Sequence, residues 1–95
     1  MEEKTFEFYG KTLVRCGNVV YYGDRDAAKW LRLTILQTAK DEAHNIELAT
    51  AVLTEVVSTE TGKEEVLKAT MNRSFYEAFE FGSAWLDRAL QGTLS

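Results

Sequence analysis

Proline is absent from this chain, cysteine and histidine occur once each, and neither basic nor apolar residues gather into a long run. Each shortage excludes something. A single cysteine, Cys16, rules out an intramolecular disulfide framework or a thiolate metal cluster within one chain, and makes a reducing compartment the default. The single histidine, His44, lies in the polar stretch 40–45 beside Asp41 and Glu42. With no H-x-x-x-H pair and no cysteine pair to complete a ligand set, this stretch reads as a solvated connection, and no metal site is expected. Asp24 and Asp26 form a D-x-D without the rest of a calcium loop, and read as part of a turn.

The eleven Lys and Arg residues are scattered from Lys4 to Arg88 and the net charge is −4, so the footprint of a phosphate-backbone binder is missing. There is no glycine-rich phosphate loop. No apolar run approaches bilayer-spanning length, and the charged opening Met1-Glu2-Glu3-Lys4 leaves no apolar core for a signal peptide. A cytoplasmic location without membrane association is the expectation. Average usage would give about five prolines; without them, turns must be read from glycine.

What is present is an ordinary globular composition, 45% hydrophobic and 27% charged, in a chain short enough to support one domain over residues 1–95. The run 5–9 alternates and meets Gly10-Lys11, a pair suited to a two-residue turn, and Gly17-Asn18 supplies a second turn between 12–16 and 19–22. This register sets Phe8 opposite Leu13, Leu13 opposite Tyr22 and Arg15 opposite Val20. Residues 23–26 turn, and Asp24 or Asp26 is placed to cap a short helical turn through Ala27, Ala28 and Lys29. Alternation resumes from Trp30 to about Ala39. Residues 46–59 fit either period, but Thr50, Val52, Thr54, Val56, Val57 and Thr59 are β-branched, which favours a strand.

A last strand over 65–71 leads to the segment 74–90. There Ser74 and Glu77 form an S-x-x-E capping box, and Phe75, Ala78, Phe79, Gly82, Trp85 and Leu86 fall on one apolar stripe that stops before Gly92. Asn72-Arg73-Ser74 also fits the glycosylation sequon, which without a secretion signal reads as chance. The expected fold is α+β: an antiparallel five-stranded β-meander followed by one C-terminal amphipathic helix packed on one face of the sheet, β-β-β-β-β-α.

Both faces of such a sheet carry apolar side chains, yet a helix about 10–12 Å across cannot cover five strands spanning roughly 20 Å, still less both sides of them. Uncovered apolar sheet implies a partner, and a two-fold homodimer is the commonest solution. The leading expectation is therefore a non-enzymatic, homodimeric interaction or regulatory module that binds protein. No base accompanies Cys16, and the fifteen acids are too many to single out a pair, so no catalytic residue and no cofactor are expected.

Two other functions are consistent with the residues. One is a small apolar ligand held between curled sheet and helix by Phe79, Gly82 and Trp85. The other is single-stranded nucleic acid on Tyr21, Tyr22, Arg25, Lys29, Trp30 and Arg32, with aromatics stacking bases and cations meeting phosphates; the acidic balance argues against it. Gly82 costs about 1 kcal/mol in a helix interior relative to alanine, so it is expected to let the helix backbone approach a strand.

Overall fold

In a computed structural model that describes residues 3–8, 10–24 and 27–92, strand and tight turn alternate up to Asn72, and the chain then becomes helical. The strands are β1 (Glu3–Phe8), β2 (Lys11–Cys16), β3 (Val19–Gly23), β4 (Lys29–Asp41), β5 (Ile46–Ser58) and β6 (Glu65–Asn72). They form one antiparallel sheet in chain order, and α1 (Phe75–Leu90) packs on it. Class, meander order and terminal helix agree with expectation. The strand count is six rather than five, and each of the six runs read from the sequence, 5–9, 12–16, 19–22, 30–39, 46–59 and 65–71, forms a strand of its own.

The β2–β3 register is the expected one, with Leu13 opposite Tyr22 and Arg15 opposite Val20. Gly17, at φ 63°, takes the first turn position, as a type II′ turn requires. The β1–β2 turn differs. Phe8 pairs with Lys11, so Phe6 rather than Phe8 stands opposite Leu13. Gly10, directly before Lys11, supplies a positive φ of 76° to this turn. A shift of two residues is one full side-chain period, so the faces of β1 are unchanged. Between β3 and β4 the Ala27 N–H donates to the Asp24 carbonyl at 3.2 Å, and β4 starts at Lys29, so the short helical turn there does not form. Asp26 lies outside the described residues.

Strands β4 and β5 are 13 residues each, longer than their neighbours. β3 pairs with β4 only as far as Thr34, and β6 pairs with β5 only as far as Val52. Residues 36–41 and 46–51 therefore run on as a two-stranded arm beyond the six-stranded body. At its tip one Asp41 carboxylate oxygen accepts from the Ala43 N–H at 3.1 Å and the other lies 2.8 Å from His44 Nδ1. Two irregularities mark the base of the arm: Leu36 has no residue opposite it on β5, and Thr50 has none on β4. They cancel, so Ile35–Val52 and Thr38–Ala49 are in the same register.

Leu31, Leu33, Val52 and Val56 of the sheet meet Ala78, Leu86 and Ala89 of the helix in the core. Gly82 sits over Leu31: a Cβ built there would meet Leu31 Cδ1, lie 2.7 Å from Cδ2 and 3.1 Å from Cγ, so glycine sets how closely the helix approaches. Both helix ends are tied to strands. Ser74 Oγ accepts from the Glu77 N–H at 3.1 Å. The Glu77 carboxylate reaches sideways and accepts from Asn72 Nδ2 at 3.0 Å, while Asn72 Oδ1 accepts from the buried Thr54 hydroxyl at 2.7 Å. At the other end Lys29 Nζ donates to the Ala89 carbonyl at 2.9 Å and pairs with Glu60 at 2.7 Å, placing a cation at the negative end of the helix dipole. Among the described residues no helix is long and apolar enough to cross a membrane.

Candidate interaction face

Side-chain alternation sorts the sheet into two faces. Leu31, Leu33, Val52 and Val56 look toward the helix, so Trp30, Arg32 and Thr34 of β4 and Leu53 and Glu55 of β5 look away from it. Among the described residues, no element lies over this second face. One row across it reads Cys16, Val19, Thr34, Leu53, Met71, from β2 to β6. Because the irregularities at Leu36 and Thr50 cancel, the same face continues along the arm. Ala49 packs toward the core, and its alternates Leu48 and Ile46, opposite Ala39 and Asp41, belong to the open side. Leu36, Ile46, Leu48 and Met71 are each about half exposed. Single exposed hydrophobics are ordinary, whereas a continuous strip marks a contact surface.

The body of this face also carries charge, and it is already paired. Arg32 Nε donates to Glu55 Oε1 at 2.9 Å, and its Nη1 donates to Glu64 Oε1. The hydrogen bond to Glu55, opposed by burial and reinforced by Glu64, raises the Arg32 pKa above the ordinary arginine range. The guanidinium is thus a fixed, neutralised part of the surface.

The residues singled out for nucleic acid do not share a surface. Tyr21, Trp30 and Arg32 are on the open face. Tyr22 is 3% exposed on the helix side, its ring edge-on to Phe79 with centroids 4.8 Å apart. Lys29 is spent on the helix terminus, and Arg25 lies outside the described residues. The Trp30 indole N–H is buried without a hydrogen-bond partner, beside a recess of about 250 Å³ shared with Tyr21, Gly23 and Ala27.

Of the three pocket candidates, Gly82 is closed off by Leu31, and Trp85 lies under Lys68 Nζ, 4.7 Å from the ring centroid. Phe79 does line a cleft, an open one of about 840 Å³ between α1 and β2, together with Leu13, Phe75, Tyr76, Glu80 and Ser83. Its polar feature is the Tyr76 hydroxyl, which donates to Glu80 Oε1 at 2.8 Å. Among the described residues no group of three or more His, Cys, Asp and Glu is placed to hold a metal ion. Cys16 is exposed and in no disulfide.

Sequence reasoning missed the arm and its strip of Leu36, Ile46, Leu48 and Met71. The signal was there in the unequal strand lengths, since a long hairpin flanked by five- and eight-residue strands must overhang them. Comparison with protein-family models, with curated proteins and with solved structures returns no match for the chain.

Proposed function

We propose that this protein is a non-enzymatic interaction module that works as a homodimer formed through its open sheet face. The observation that carries the reading is the apolar strip running unbroken from Met71 and Leu53 in the body to Leu48 and Ile46 on the arm. Area supports it. The chain exposes 6464 Å², where a folded monomer of its mass is expected to expose about 5,500 Å². The surplus of roughly 900 Å² is close to the ~800 Å² that each partner gives up in a standard complex. A reducing, cytoplasmic setting suits an exposed thiol that has no disulfide to make. Light scattering at micromolar concentration is expected to return twice the chain mass, and Leu48→Glu to return the chain mass. A wild-type protein that stays monomeric ends this reading.

The cleft between α1 and β2 favours a second, compatible reading. Its volume and apolar lining are those of small-molecule sites, and it lies on the helix side, away from the proposed dimer face. An apolar ligand of moderate size with a donor for Glu80 fits it. Native mass spectrometry of freshly purified protein is expected to show retained ligand mass, and Phe79→Ala to reduce it. Protein that carries no adduct and binds no apolar dye removes the ligand reading.

A further inference from the structure

We infer that the two-fold axis of the homodimer passes through the junction of arm and body, beside Leu36 and Ala51, so that each arm lies across the open face of its partner's body. This rests on the homodimer reading and adds a geometry to it. At about 3.3 Å per residue, the body portion of β4 (residues 29–35) is about 23 Å long and the arm portion (36–41) about 20 Å. The two lengths match, so one axis position lays arm on body in both directions at once. The full hairpin accounts for the 45 Å longest dimension of the molecule.

An axis through the middle of the body is the rival, and two observations oppose it. It would leave both arms protruding into water at opposite ends, with Leu36, Ile46 and Leu48 still about half exposed and two-stranded ribbons unsupported. It would also stack the cluster of Arg32, Glu55 and Glu64, which carries one positive and two negative charges, on its own copy; like charge juxtaposed across an interface is costly. The junction axis instead sets Leu48 over the partner's Leu53 and Met71, and Ile46 near the partner's Tyr21. Leu48 then meets apolar side chains, and Ile46 covers the row of Tyr21, Arg32 and Glu55, so that this cluster faces an apolar side chain and not its own copy, with the two sheets crossing at the shallow angle usual for face-to-face packing.

The geometry makes opposite demands on cross-linking at two positions. Leu36 lies beside the axis and meets itself, whereas Ile46 lies roughly 30 Å from its own copy, by the strand rise. In a Cys16→Ser background, Leu36→Cys is therefore expected to give a covalent dimer with a short bismaleimide, and Ile46→Cys to stay single-chain on a denaturing gel. The double variant Leu48→Cys with Met71→Cys is expected to cross-link between copies. All of these positions are exposed, so folding should survive, and light scattering of each variant before cross-linking confirms the dimer. Variants that remain dimeric but cross-link through Ile46→Cys and not through Leu36→Cys overturn the axis while leaving the dimer standing. Variants and wild type that are all monomeric overturn the homodimer reading itself.

Discussion

Gly82 and Leu31 fix the separation of helix and sheet with single atoms. Gly82→Leu drives a side chain into a fully buried leucine, and overpacking of this kind costs about 1–3 kcal/mol. A lowered urea midpoint is expected, and an unchanged one would contradict the close approach. Glycine in a helix interior is conspicuous because it is locally unfavourable, so this contact was legible in the sequence. Asn72 was not. It reads as a sequon residue, yet it is buried and joins Thr54, eighteen positions earlier, to Glu77. Asn72→Leu strands a buried hydroxyl, at a cost of about 1–3 kcal/mol. Pairing it with Thr54→Val should recover part of that loss, because both partners are then apolar. A double variant no more stable than Asn72→Leu would show that the bond to Thr54 is not what the asparagine supplies.

Local chemistry announces most of the elements. β-branched residues settle β5 as a strand, Ser74 starts the helix, and the glycines mark the tight turns. What local chemistry does not specify is which two residues make a turn, and at Gly10 this displaced β1 by two positions. The arm was hidden for a related reason: it exists only because neighbouring strands stop early, a fact that belongs to no single segment. An isolated two-stranded ribbon is marginal in water. Amide hydrogen exchange should therefore be slow over 36–41 and 46–51 in the dimer and fast in monomeric Leu48→Glu, with the body protected in both. Equal arm protection in the two states would mean that the arm needs no partner.

The whole molecule is more drawn out than its chain length requires. Its radius of gyration is 13.7 Å, against about 12.4 Å for a compact domain of this length. That the helix covers only one face was legible from widths alone, before any residue was placed; which side chains fill the uncovered face was not. Because the proposed contact is mostly apolar and Arg32 is paired within its own chain, raising NaCl toward 1 M should leave the dimer intact, since screening acts on charges held apart in solvent. Dissociation by salt would place the contact elsewhere. Parity also constrains this face. With Leu36 and Thr50 each lacking a residue opposite, a one-residue change in one strand of the arm that no further bulge absorbs exchanges the sides of everything beyond it, bringing Lys40 or Glu47 to the apolar strip. The apolar strip is therefore kept by insertions and deletions made as matched pairs, by those in the turn over residues 42–45, and by those that a bulge absorbs, as at Leu36 and Thr50.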